Sequence, residues 1–97
     1  MAADNVGDAL KENDGAVVDN VEKHRFELTV GGQTAFLVYE RRADRFTIVH
    51  TEVPAAFRGR NFGGRLVEAA VASAHAAGLP LVVVCPFARA YLSKHPR

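Results

Sequence analysis

Phe46 to Ala70 reads "FTIVHTEVPAAFRGRNFGGRLVEAA", and it changes period half-way. Phe46, Ile48, His50 and Glu52 alternate with Thr47, Val49, Thr51 and Val53, the two-residue repeat of a strand that sends one set to each face. Pro54 ends that ladder, because it has no N–H to give. From Asn61 to Ala77 the repeat is helical. Leu66, Val67, Ala70, Val71 and Ala74 share one face, and Arg65, Glu68, Ala72 and His75 the opposite one. Between the two lies "FRGRNFGGRL", Phe57 to Leu66, with Gly59, Gly63 and Gly64. One capping Ser, Thr, Asp or Asn would start a plain helix, and each glycine costs entropy to order. The glycines therefore predict that something approaches this backbone closely.

Upstream, "RFELTV" and "QTAFLVYER" flank Gly31 and Gly32, which predicts a hairpin, since tight hairpin turns want positive φ at both central residues. "RADR", Arg42 to Arg45, separates it from the Phe46 strand. Downstream, Gly78 and Pro80 stop the helix, and "LVVVC" reads as a continuous apolar strand covered on both sides. A last helix runs from Phe87 to Lys94 and is closed by His95 and Pro96. The order β-β-β-α-β-α predicts an α/β fold, a mixed and mostly antiparallel sheet flanked by two helices. Residues 1–17 read as a flexible tail and 18–97 as one small domain.

With 97 residues, a net charge of +1 and 48% hydrophobic residues, the composition is that of a globular protein. The near-neutral charge and the lack of an aromatic platform argue against a nucleic-acid partner. Cys85 is the single cysteine, so no internal disulfide forms and a reduced, cytoplasmic setting is expected. The start lacks a secretory pattern, and "LPLVVVC" is too short to span a bilayer. No membrane partner is expected.

A loop that leaves a strand and opens a helix exposes unpaired N–H groups at the positive end of the helix dipole, a natural phosphate site. Arg58, Arg60 and Arg65 add charge around it. A nucleoside-triphosphate loop would need Gly-Lys-Ser or Gly-Lys-Thr, which is absent. A dinucleotide fingerprint would need a parallel β-α-β unit with an acidic residue ending the next strand, and that strand ends in Cys85.

"VPAAFRGRNFGGRLVEAA" resembles the acetyl-coenzyme A loop of the GCN5-related N-acetyltransferases, whose signature is Arg or Gln, two residues, Gly, one residue, then Gly or Ala. Arg58 takes the first place and Gly63 the last, while Asn61 replaces the middle glycine. After glycine, asparagine is among the residues that best tolerate left-handed dihedrals. With "HTEVP" and "CPFARAYLSKHP", the likeness covers about Asp19 to Pro96 and is similar to the minimal YjdJ-type branch, which lacks the usual N-terminal substrate-binding helices.

The resemblance implies an acetyltransferase that binds acetyl-coenzyme A as co-substrate where two strands splay apart, and that uses no metal. The backbone near Glu52 and Val53 would pair with the pantetheine. The N–H groups of Arg58, Gly59, Arg60, Asn61, Phe62, Gly63 and Gly64 would hold the pyrophosphate. The acetyl group would pass directly to an amine or protein acceptor of unknown identity, with Glu52, or His50 beside it, as general base. The sequence places both on the face that carries Phe46 and Ile48, where polar residues need a reason. Tyr91 would protonate the departing thiolate. Cys85 offers the other route, an acetyl-cysteine intermediate activated by a neighbour such as His50. Lys94 and His95 suit a helix C-terminus and a coenzyme phosphate alike. A non-catalytic acyl-coenzyme A-binding or regulatory module is the alternative function, and a monomer or weak homodimer the expected state.

Overall fold

A computed structural model describes residues 15–96. The expectation of a tail over residues 1–14 lies outside the described residues. Five strands make one sheet in the order β1-β2-β3-β4-β5, namely β1 (Val18–Asn20), β2 (Arg25–Val30), β3 (Gln33–Arg41), β4 (Phe46–Glu52) and β5 (Leu81–Val83). β1 to β4 are antiparallel neighbours and β4–β5 is parallel, so the sheet is mixed as expected. The parallel pair is joined by α1 (Phe62–Ala76), and α2 (Pro86–Lys94) follows β5.

Gly31 and Gly32 take φ of 60° and 79° between paired Val30 and Gln33, the two positive values that a tight hairpin turn requires. α1 ends as Gly78 and Pro80 predict. Gly78 N–H donates to His75 O and Leu79 N–H to Ala74 O, the paired bonds of a glycine-terminated helix.

One face of the sheet carries the core. Leu28, Leu37, Phe46 and Ile48 meet Leu66 and Val67 of α1, and all six are fully buried. Each such side chain contributes roughly 1.5–3 kcal/mol on leaving water. α2 reaches the same face through fully buried Ala88. It also packs on α1, where the side-chain positions of Gly63 and Gly64 abut Phe87 and Tyr91.

Three sequence expectations change. β1 was not foreseen, because Asp19 and Asn20 are poor strand formers. The "LVVVC" strand spans only Leu81–Val83 and is covered on one side: Val82 is 40% and Val84 58% exposed. The third change decides the site. Tyr39 pairs with Ile48, but Val38 pairs with His50, so β4 carries one extra residue, Val49. This bulge reverses the alternation beyond it. Thr51, opposite Leu37, joins the core face. His50 and Glu52, opposite Val38 and Phe36, turn to the face away from Phe46 and Ile48, which corrects their predicted placement.

Tyr39, 5% exposed, donates its hydroxyl proton to Asp19 at 2.6 Å and ties β1 to the sheet. Burial, and then the Asp19 carboxylate, push its pKa up from 10.0 to about 12. Between those values the folded chain keeps a proton that the unfolded chain releases, so stability must fall as pH rises through this window. At 1.36 kcal/mol per pKa unit the full loss is about 2–3 kcal/mol. Urea midpoints should drop between pH 9 and pH 11.5, and Tyr39→Phe should flatten that drop; an equally steep decline in the variant would refute the assignment.

Candidate functional site: a cleft beside a split pair of strands

β4 and β5 pair only as far as Ile48 and Val83. There the N–H groups of Val84 (3.0 Å) and Cys85 (3.2 Å) both turn onto the Ile48 carbonyl, and β5 leaves while β4 continues to Glu52. The strands separate at this point. The bulge sits at the same place, so the segment of β4 that bends is the one that loses its neighbour on the β5 side.

On the helix face a cleft of about 760 Å³ opens beside the split. Thr51 and Val53 of β4 and its extension line one wall, Phe57 to Gly59 and Asn61 to Gly64 the floor, and Phe87, Ala90, Tyr91, Lys94 and His95 of α2 and its end the other wall. The volume lies within the usual range for a ligand site. Phe57, Phe62 and Phe87 make much of the lining apolar, whereas Arg58 and Lys94 supply cations.

The floor is a helix start without a side-chain cap. Asn61, the N-cap, takes φ 59° and ψ 27°, the left-handed conformation that the sequence assigned to it in place of glycine. Its side chain makes no capping bond. Arg58 N–H goes to Ala55 O and Arg60 N–H to Phe57 O. Among the described residues, no backbone carbonyl receives the N–H of Gly59, Asn61, Phe62, Gly63 or Gly64. A helix of 15 residues thus points its positive end and several unpaired donors at the cleft.

Of the residues expected to hold the coenzyme, Val53, Arg58, Gly59, Asn61, Phe62, Gly63 and Gly64 line the cleft. Arg60 stands apart from that lining, its guanidinium 5.4 Å from the centre of the Phe62 ring. Gly63 and Gly64 are ordinary helical residues. A Cβ on Gly63 would come within 2.6 Å of the Phe87 ring, and one on Gly64 within 2.6 Å of the Tyr91 ring and closer still to the Asn61 side-chain oxygen. What approaches this backbone is, in part, α2.

The expected catalytic residues divide between the two faces. His50 Nε2 lies 3.1 Å from Glu52 Oε1, a pair more than half exposed on the helix-free face. Cys85 is 2% exposed on the helix face, and its thiol donates to Thr51 Oγ1 at 3.5 Å. Tyr91 lines the cleft and donates its hydroxyl proton to Glu68 Oε2 at 2.8 Å, while its ring stacks on His95 at 4.3 Å. Thr51, Glu68 and Phe87 escaped the sequence reading. Thr51 is legible only once the bulge is known, and Glu68 and Phe87 only once the two helices are known to touch.

Residues 25–97 match the family model of the GCN5-related N-acetyl-transferases. The chain belongs to that family. The family's activity is acetyl transfer, with acetyl-coenzyme A as its typical donor. The match takes in β2 to α2 and begins after β1. No curated protein matches the chain. Among the described residues, no group of three or more His, Cys, Asp or Glu side chains is placed to hold a metal, and no helix is long and apolar enough to cross a membrane.

Proposed function

We propose that this GCN5-related N-acetyltransferase moves an acetyl group from acetyl-coenzyme A to an amine by direct, general-base-assisted transfer, in the cytoplasm. The observation that carries the reading is the split between β4 and β5, which has a phosphate-suited cleft beside it on one face and a His50–Glu52 pair on the other. The pyrophosphate meets the N–H groups of Gly59, Asn61, Phe62, Gly63 and Gly64 together with the Arg58 side chain, whereas the N–H groups of Arg58 and Arg60 are already bonded within the loop. The thiol arm follows Thr51 and Val53 to the split. The amine arrives from the opposite face. Glu52, directly or through His50 or a water, takes its proton. The neutral amine nitrogen then bonds to the acetyl carbonyl carbon and gives up its second proton to water, the carbon–sulfur bond breaks, and Tyr91 passes a proton to the thiolate and regains one from solvent.

Cys85 supports the direct route. The acetyl-cysteine alternative calls for an activating imidazole, and His50 projects from the other face while the thiol gives its hydrogen bond to Thr51. Incubation with acetyl-coenzyme A and no acceptor should leave Cys85 unmodified by mass spectrometry.

Isothermal titration with acetyl-coenzyme A, and separately with coenzyme A, tests the reading first. One equivalent per chain is expected for each, with affinity that weakens as salt rises, because the phosphates are held by charge and dipole. Titrations without heat, and no thermal shift, would remove the cofactor assignment. Saturable binding with no transfer to any amine would instead favour a module that holds acyl-coenzyme A.

A further inference from the structure

The helix-free face onto which the split opens is made of strands alone among the described residues. Its side chains around the split are Phe36, Val38, His50, Glu52 and Val82, placed there by the pairs Phe36–Glu52, Val38–His50 and Thr47–Val82, and exposed Val84 follows just beyond the end of β5. The His50 and Glu52 side chains are 57% and 64% exposed, and Val84 is 58% exposed. A small-molecule site buries most of its ligand between walls. Side chains that stand more than half in solvent on a sheet face without helices are not walls, so an amine bound here must bring its own contact area.

Charge narrows the acceptor further. Glu27 on this face is held by Arg25 at 2.5 Å, and Glu40 lies 3.6 Å from Arg42. Glu52 has His50 as its partner, and among the described residues no arginine pairs with it. A polyamine would find one carboxylate for its several charges. A single ammonium flanked by apolar groups fits better, with Glu52 for the charge and Phe36, Val38, Val82 and Val84 for the flanks. Phe36 already stands edge-on to the His50 ring, 6.4 Å between centres, so the apolar strip is continuous with the proton-accepting pair.

We infer that the acceptor is a polypeptide segment, laid across the helix-free face, that presents one primary amine between apolar residues. This rests on the acetyltransferase reading above. The full-length chain is supplied with acetyl-coenzyme A and one of four acceptors at equal concentration. They are a blocked nonapeptide with a central lysine between leucines and valines, the same peptide with glutamates in the flanks, a peptide of the apolar sequence with a free amino terminus and no lysine, and spermidine.

The apolar-flanked lysine peptide or its amino-terminal counterpart should exceed spermidine and the acidic peptide at least tenfold in kcat/KM, and the better of the two tells which kind of amine is used. Val82→Asp should erase that preference, by weakening the apolar-flanked peptide and admitting spermidine to a second carboxylate, while leaving acetyl-coenzyme A affinity as in the parent. Val82→Thr, which keeps the branched strand residue, controls for folding. Equal use of spermidine, or acetylation of the protein's own amino terminus or Lys11 in place of the peptides, would overturn the inference but keep the enzyme. Coenzyme binding with no transfer to any of the four would overturn both the inference and catalysis, and absence of binding would sink the underlying reading itself.

Discussion

Glu52→Gln is expected to lower kcat by roughly a hundred- to ten-thousandfold, the range for loss of a positioned general base, and to leave the affinity for acetyl-coenzyme A unchanged. The separation follows from the bulge at Val49. Glu52 and His50 sit on the helix-free face, whereas the cleft is lined from the helix face by Thr51 and Val53. Glutamine keeps the size and the ability to bond His50 but cannot take a proton from an ammonium. An unperturbed lysine amine has a pKa near 10.4, so it is almost wholly protonated at neutral pH. The deficit should therefore shrink as pH rises and more of the acceptor arrives already neutral. A deficit that stays constant with pH would mean that Glu52 does not act on the acceptor's ammonium proton, and a deficit in cofactor affinity would mean that the two faces are not divided as described. His50→Gln should lose rate in the same direction, because the two side chains are joined at 3.1 Å. The double variant should lose less than the product of the single losses, as residues acting as one unit do.

Much of the fold was written in local patterns. Gly31-Gly32 demanded a turn, Pro54 and Gly78 marked ends, and the change from a two-residue to a helical period between Val53 and Leu66 separated strand from helix. The left-handed Asn61 was legible too, since the family's glycine position and asparagine's tolerance of positive φ coincide there. What was hidden was hidden for physical reasons. The alternation from Phe46 to Val53 is unbroken in composition, and Val49 is a good strand residue, so nothing local signals the extra residue opposite β3. The pairing with Tyr39 and Val38 reveals it. β1 pairs with β2 largely through Asp19 and Asn20, which are poor strand formers, and the further bond that fixes it, between Asp19 and Tyr39 twenty residues apart, is one no window on the sequence captures. β5 is apolar enough for a central strand, yet it stands at the sheet edge because no later strand follows it among the described residues. The glycine-rich loop was recognised, but its glycines answer two demands: unpaired donors at the helix start and room for α2.

That double role makes Gly64→Ala the largest expected structural loss from a single methyl group. Its Cβ would sit 2.6 Å from a Tyr91 ring carbon and against the Asn61 amide. The Asn61 side chain is exposed and uncapped, and it can rotate away. The Tyr91 ring is held on both sides, by its hydroxyl on Glu68 and by stacking on His95, so the strain passes to the α1–α2 contact. Overpacking of this kind costs about 1–3 kcal/mol, and for a domain of this size each kcal/mol is worth roughly 4–8 °C in Tm. A fall of about 10 °C is expected, together with weakened acetyl-coenzyme A binding, because moving α2 displaces the wall that carries Tyr91, Lys94 and His95. Gly63→Ala should cost less, although its Cβ also meets a ring at 2.6 Å, because Phe87 is 45% exposed and can swing toward solvent. Gly59→Ala separates the two demands. Nothing lies within 4 Å of its Cβ, and its φ of +81° alone opposes the change, at about 1–3 kcal/mol. Melting curves and titrations of the three variants should rank Gly64→Ala below Gly63→Ala in both stability and affinity, with the ring of Tyr91 responsible. If Tyr91→Leu in the Gly64→Ala background restores no stability, the helix–helix contact is not what Gly64 protects, and the glycine serves the ligand alone.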